Sequence, residues 1–202
     1  MYITYIIIFI TGVTSYLAFN NREIFYNLKF NAYLINHNRQ YYRFLSYGLI
    51  HVDWAHLLVN MFVLFMFGKA VEDNFSEFFG IRANLYYLLL YAGGIVFSTL
   101  ASFIKHKNND TYNAVGASGA VSAIVFSSII MNPQMPIIFL FFPIPMPAWL
   151  FGILYLIYSA YMARRGNDNI GHDAHFWGAI FGLVFTIILN PSFVNSFLNE
   201  IF

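Results

Sequence analysis

The sequence contains no cysteine in its 202 residues. Disulfide bonds, thiolate nucleophiles and cysteine-ligated metal sites are therefore excluded. Charged side chains are also scarce, at 9% of residues, whereas an average soluble domain carries roughly 25%. Hydrophobic residues make up 59% of the chain. This composition predicts a protein that lies in a lipid bilayer.

An excess of basic charge is missing as well, because ten Lys and Arg residues face nine Asp and Glu residues. No basic patch alternates with aromatic side chains in the way that a nucleic-acid-binding surface requires. We therefore expect no nucleic-acid partner, and we also expect no cofactor and no metal ion.

Six apolar segments predict six transmembrane helices in a single domain, residues 1–202, of an all-α polytopic membrane protein. Their expected bounds are about 2–19, 54–71, 83–104, 116–131, 148–163 and 174–189. The first segment lacks the basic leader and the small-residue cleavage site of a signal peptide, so we expect a retained helix. Asp53 is the expected N-cap of the second helix, and Glu72 the start of its polar end.

Two connections between these segments have distinctive compositions. Residues 20–50 mix basic and aromatic side chains, which favours a segment at the lipid headgroup level, and an ordinary polar loop is the alternative. Residues 133–147 contain five of the six prolines around the apolar run 137–142. That run is too short to span a bilayer, so an interfacial hairpin is expected.

Polar side chains occur at the start of three of these apolar segments. Ser118 lies within Gly116-Ala117-Ser118-Gly119, His175 follows Ala174, and His56 precedes Asn60 by one helical turn. Because these segments alternate along the chain, their polar starts should meet on one side of the membrane. Such groups at bilayer depth are costly and usually functional.

These residue types match the needs of acyl transfer to water. A serine hydroxyl requires a base, for which histidine is the usual choice, and a tetrahedral oxyanion requires preorganised hydrogen-bond donors. Gly178 and Gly182 form a small-residue face that allows two helices to approach closely. Each feature alone has an ordinary structural explanation, such as helix packing or a local hydrogen bond. The combination favours catalysis.

The ordered set of motifs resembles the rhomboid family of intramembrane serine proteases. The matching residues, which cover 42–182, are Tyr42-Arg43, His51, His56, Asn60, Gly68, Glu72, Gly116-Ala117-Ser118-Gly119, Ala174-His175, Gly178 and Gly182. The resemblance implies a six-helix rhomboid-like bundle with a Ser–His dyad and no third acid.

The resemblance also implies a role for each matching residue. Ser118 is the expected nucleophile and His175 the general base, while His56 and Asn60 help the backbone N–H of Ser118 to hold the oxyanion. Residues with a structural role near the site are Gly116, Gly119, Gly178, Gly182, His51 and Arg43. The implied substrates are transmembrane segments of other membrane proteins.

Two positions near the site need separate interpretation. Many family members carry an aromatic residue four positions after the nucleophile, where it stacks on the catalytic histidine, and here that position is Ser122. Phe126 or Trp177 could supply the ring instead, or the base is held less firmly. Asp173 lies two residues before His175, and we expect an N-cap rather than a third catalytic acid.

The orientation in the membrane is predicted differently by two arguments. The loops before the second, fourth and sixth segments hold most of the basic residues, which are Arg22, Lys29, Arg39, Arg43, Lys105, Lys107, Arg164 and Arg165. The positive-inside rule would therefore place the mouth of the site in the cytoplasm. The resemblance places it on the extracytoplasmic side, which we adopt, and a bacterial plasma membrane is the expected location.

Two other classes of function remain open from the sequence. A non-catalytic rhomboid-like binder of transmembrane helices would not need both Ser118 and His175. A small polytopic transporter or channel could use His56, Asn60 and His175 as a polar path, but it would not need a glycine-flanked serine.

Overall fold

The computed structural model describes residues 2–139, 142–166 and 171–202, which are mainly helical. The helices are α1 (Ile3–Asn20), α2 (Arg22–Leu28), α3 (Ala32–Asn38), α4 (Arg43–Ser46), α5 (Trp54–Phe79), α6 (Ala83–His106), α7 (Ser118–Met131), α8 (Ala148–Arg165), α9 (His172–Leu189) and α10 (Ser192–Ile201). Single 3₁₀ turns occupy Tyr47–Leu49 and Gly80–Arg82. Two short antiparallel pairs join β1 (Phe30–Asn31) to β2 (Asn113–Ala114), and β3 (Pro136–Phe139) to β4 (Phe142–Pro147).

Several described helices are apolar enough to lie in a membrane. Three segments have the length and composition to cross a bilayer: Ile3–Asn20, the continuous helical stretch Trp54–His106 that contains α5 and α6, and His172–Leu189. The apolar helix α7 is shorter and central, because every residue from Gly119 to Met131 is buried. The architecture is that of an integral membrane protein built around α7.

The predicted end of the second helix near residue 71 was wrong, because α5 continues to Phe79. Glu72 is fully buried and accepts a hydrogen bond from the backbone N–H of Thr4 at 2.7 Å. That carboxyl group thereby caps the first turn of α1, which has no side-chain cap of its own. A neighbouring helix thus satisfies one oxygen of this carboxyl group, Oε1, while Oε2 has no hydrogen-bond partner among the described residues.

Two predicted helix starts also differ from the structure. The fourth segment begins as a helix at Ser118 rather than at residue 116, because Gly116 has φ 115°. That conformation is open to glycine and lies outside the helical region. The sixth begins at His172, two residues before the predicted start.

The connection from 20 to 50 folds into α2, β1, α3 and α4 rather than an open loop. Arg43 is buried there and donates from Nη1 to the carbonyl oxygens of Tyr26 at 2.9 Å and Lys29 at 2.7 Å. These carbonyls close α2, so the guanidinium group fixes the path of the chain before α5.

The proline-rich stretch forms an antiparallel hairpin, β3–β4, as expected. Within its apolar run, Leu140 and Phe141 lie outside the described residues. The short C-terminal helix α10, which the sequence argument did not predict, follows α9 directly, and its Phe193 is buried against Phe78.

Helices α7 and α9 pack with almost no side chain between their backbones. A Cβ atom added at Gly178 would overlap the carbonyl group of Gly119, and one added at Gly182 would overlap the carbonyl group of Ala123. Small residues at two successive turns therefore set the distance between the helices.

We predict that Gly182→Ala lowers the stability of the folded protein, because the new methyl group would push α9 away from α7. Overpacking of this kind costs about 1–3 kcal/mol. Thermal unfolding in detergent measures the effect. Gly12→Ala is the matched control, because a Cβ atom at Gly12 meets nothing within 4 Å. Equal melting temperatures for the two variants would contradict this packing argument.

Candidate active site

The turn that leads into α7 presents Ser118 at the first helical position. Gly116 directly precedes this turn, and its N–H donates to the carbonyl oxygen of Tyr47 at 3.0 Å. A Cβ atom at Gly116 would lie 2.6 Å from Cε1 of His56. The imidazole of His56 therefore lies directly against the backbone before Ser118, at a place where only glycine fits.

His51 holds the same turn from the other side. It is fully buried, and its Nε2 accepts from the backbone N–H of Ala117 at 3.4 Å. Its Nδ1 lies 3.0 Å from Oγ of Ser15, whose hydroxyl donates to the carbonyl oxygen of Leu49 at 3.0 Å. One tautomer satisfies every partner, with the proton on Nδ1. Burial, together with the adjacent imidazole of His56, lowers the pKa of His51 to about 3.

Helix α5 begins as predicted at the N-cap Asp53, whose carboxylate accepts from the N–H of His56 at 2.7 Å. Asn60 is buried one turn further along and donates from Nδ2 to the carbonyl oxygen of His56 at 3.0 Å. An amide group carries two N–H bonds. Only one acceptor for Asn60 Nδ2 occurs among the described residues, so one of its two N–H bonds has no partner there.

Helix α9 carries His175 in its first turn, and the N–H of His175 donates to the carbonyl oxygen of Gly171 at 3.0 Å. The N-cap is Gly171, so the expectation that Asp173 caps this helix was wrong. Instead, the Asp173 carboxylate accepts a hydrogen bond from the Ser102 hydroxyl of α6. This hydrogen bond holds the start of α9 against α6, so the Asp173 carboxylate has a structural partner on another helix.

The starts of α7 and α9 are brought together by the glycine contacts between these helices. The position of a Cβ atom on Gly119 lies 3.4 Å from the carbonyl oxygen of Ala174, and Gly178 lies against Gly119 one turn further along α9. Ser118 directly precedes Gly119 in the sequence, and His175 directly follows Ala174. Both side chains are half-buried. Among the described residues no hydrogen bond joins Ser118 to His175.

An aromatic ring stacks on His175, and it is neither of the two expected candidates. The ring of Tyr155 on α8 lies 6.4 Å from the imidazole, centroid to centroid, with 24° between the planes. Phe126 packs against Tyr155 at 5.6 Å, and Trp177 contacts Phe176. The sequence argument missed Tyr155 because this residue lies on a different helix and outside every motif.

The described part of the chain contains no cluster of three or more His, Asp or Glu side chains that could hold a metal ion. Imidazoles and backbone N–H groups lie instead at the turn before Ser118, where His51 Nε2 meets the N–H of Ala117 and the ring of His56 lies against Gly116. This set can donate hydrogen bonds to an oxygen anion and accept a proton from a hydroxyl group.

Comparison with known proteins identifies the family. The model of the Rhomboid domain matches residues 38–192, so the chain belongs to the rhomboid family. It is 31% identical to RHOMBOID-like protein 12, mitochondrial, of Arabidopsis thaliana over 137 residues. These residues are 64% of this chain and 40% of that protein.

Two further relatives show similar levels of identity. Rhomboid-like protein 11, chloroplastic, of Arabidopsis thaliana is 28% identical over 174 residues, which are 79% of this chain and 56% of that protein. Rhomboid-related protein 1 of Caenorhabditis elegans is 27% identical over 156 residues, which are 73% of this chain and 40% of that protein. The chain thus spans about half the length of these relatives or less. Two of their names refer to organelles, so the expected bacterial plasma membrane finds no support in these relatives.

We predict that buried, neutral His51 makes stability depend on pH. In the unfolded chain a histidine takes up a proton near pH 6.5, whereas in the folded protein the pKa of His51 is about 3. As the pH falls through this window, the unfolded state binds the extra proton and stability is lost, by up to about 1.4 kcal/mol per pH unit.

The measurement is thermal unfolding of the wild type and His51→Gln between pH 7.5 and pH 4. The wild type should be more stable at the upper end, and its advantage should shrink as the pH falls. An advantage that stays constant across this range would count against a neutral His51 in the folded state.

Proposed function

We propose that this chain is an intramembrane serine endopeptidase that cleaves transmembrane segments of other membrane proteins. The observation that supports the proposal best is the contact between the first turns of α7 and α9, at Gly119, Ala174 and Gly178. These turns carry Ser118 and His175. Membership of the rhomboid family makes this pair the expected dyad.

In the proposed reaction Ser118 Oγ attacks the scissile carbonyl carbon while His175 accepts the hydroxyl proton. The resulting tetrahedral intermediate collapses to an acyl-enzyme, and His175 returns the proton to the leaving amine. Water then attacks the ester while His175 accepts a proton from it; the bond to Ser118 Oγ breaks, His175 returns the proton to Oγ, and the new carboxyl end is released. No cofactor is required for any of these steps.

Three groups near Ser118 are suited to hold the oxyanion. The first N–H groups of α7, that of Ser118 among them, have no partner within the helix and lie at the positive end of its dipole. The imidazole of His56 lies on the facing helix next to Gly116, and Asn60 lies one turn further along that helix with its Nδ2 at the carbonyl oxygen of His56. Donors fixed before the reaction stabilise developing charge without reorganisation.

The first prediction from this proposal concerns the two residues of the dyad. Ser118→Ala and His175→Ala should each abolish cleavage of a co-expressed single-span membrane protein, because one removes the nucleophile and the other its base. A fluorophosphonate probe should label the wild type at Ser118 and neither variant. Immunoblotting detects cleavage, and mass spectrometry of the labelled peptide locates the probe.

Ser128→Ala is the matched control, since it makes the same change on α7 at a hydroxyl group without a hydrogen-bond partner among the described residues. It should cleave and label like the wild type. A Ser118→Ala variant that still cleaves would refute the mechanism. A helix-binding protein without activity and a transporter both predict an unlabelled wild type, so labelling separates these functions from the proposal.

We also propose that the site opens on the extracytoplasmic side, as the family resemblance implies. Lys107, just after α6, lies on the face that holds the starts of α7 and α9, while Ile81, just before α6, lies at the other end of that helix. A helix of 24 residues separates them by about 36 Å. The two positions therefore report on opposite faces.

Single cysteines at these positions test the orientation, because the natural sequence has no other thiol. In intact cells an impermeant maleimide should label Lys107→Cys and leave Ile81→Cys unlabelled until the membrane is opened. Both residues are exposed, Ile81 at 98%. The reverse pattern would show that the basic loops are cytoplasmic and would overturn the proposed orientation.

A further inference from the structure

We infer that Tyr155 positions His175 for proton transfer and that Ser122 holds Tyr155 in place. This inference rests on the proposed function, since it assigns a role in that reaction to two residues outside the dyad. It starts from a single arrangement in which one tyrosine joins α8, α7 and α9.

The ring of Tyr155 is roughly parallel to that of His175, with 24° between the planes and 6.4 Å between the centroids, a separation typical of offset rather than face-to-face rings. An imidazole in the first turn of a helix can rotate about its side-chain bonds unless another group restrains it. A stacked ring permits sliding in its own plane but resists tilting.

The hydroxyl group of Tyr155 is fixed by Ser122, and their oxygen atoms are 2.7 Å apart. Ser122 is buried on α7, one turn after Ser118. Behind the ring, Phe126 and Phe151 each pack at 5.6 Å. The position of the ring is therefore set by the same helix that presents Ser118.

A neighbouring tyrosine shows what a ring on α8 does without this hydrogen bond. Tyr158 lies one turn after Tyr155 and meets His172 edge-on, at 5.5 Å and 84°. Its side chain is 53% exposed. Tyr158 thus has the same residue type and the same helix as Tyr155. It reaches His175 only through His172, whose ring lies 5.9 Å from that of His175, so it is the control for a change on α8 that leaves the direct Tyr155 contact in place.

The test measures the rate at which a fluorophosphonate labels Ser118 over a range of probe concentrations up to saturation, which separates the labelling rate constant kinact from the probe affinity KI. Tyr155→Leu should lower kinact about tenfold, which corresponds to about 1.4 kcal/mol, while KI stays within about twofold. Tyr155→Phe keeps the ring and loses only the hydrogen bond, so its kinact should lie between those of Tyr155→Leu and the wild type. Tyr158→Leu should behave like the wild type.

A second set of variants serves if Tyr155→Leu does not fold. Ser122→Ala and Tyr155→Phe each remove the same hydrogen bond while the stacked ring remains. Each should lower kinact about threefold, and the double variant should lose no more than either single variant, because both changes delete one interaction. Additive losses, or no loss in either variant, would overturn the role of Ser122.

The inference fails on its own if the wild type is labelled at Ser118 and Tyr155→Leu reacts at the same rate. It also fails if Tyr158→Leu loses as much activity as Tyr155→Leu, since the effect would then belong to α8 as a whole. A wild type that is not labelled at Ser118 would instead refute the proposed function, and this inference with it.

Discussion

The close approach of α7 and α9 is the constraint on which the candidate site depends. Lipid tails are as apolar as leucine, so no hydrophobic effect drives these helices together within a bilayer. Direct backbone contact must supply the attraction, and it requires Gly178 opposite the carbonyl of Gly119 and Gly182 opposite that of Ala123. The same contact that stabilises the pair also determines how far apart the first turns lie. The glycines that allow the two helices to pack are therefore also the residues that set the geometry of the candidate site.

The loop before α5 supplies the second constraint. His51 connects α1, through Ser15, to the turn before α7, through the N–H of Ala117. An imidazolium in that place would present an N–H group to another N–H group, so the neutral form is enforced by geometry as well as by burial. The adjoining ring of His56, 4.9 Å away, rests on Gly116. The backbone that would hold an oxyanion is thus fixed from both sides.

The sequence predicted the features that local pattern determines. Asp53 was correctly placed as an N-cap, and the proline-rich hairpin and family membership were also predicted. The errors occurred where a distant helix changes the local preference. Glu72 reads as a helix end, yet its carboxyl group bonds to the first turn of α1. Asp173 reads as a cap, yet it bonds to Ser102 on α6.

Ser122 shows why a motif alone could not describe the site. At that position on α7, a large aromatic residue would occupy the space that the ring of Tyr155 fills, because the two hydroxyl oxygens are only 2.7 Å apart. In this chain the ring beside His175 therefore comes from α8 rather than from α7. The small serine is then part of the arrangement rather than a missing component. The helix that supplies the ring depends on how the side chains at position 122 on α7 and position 155 on α8 fill their shared space. A motif that spans only α7 cannot predict it.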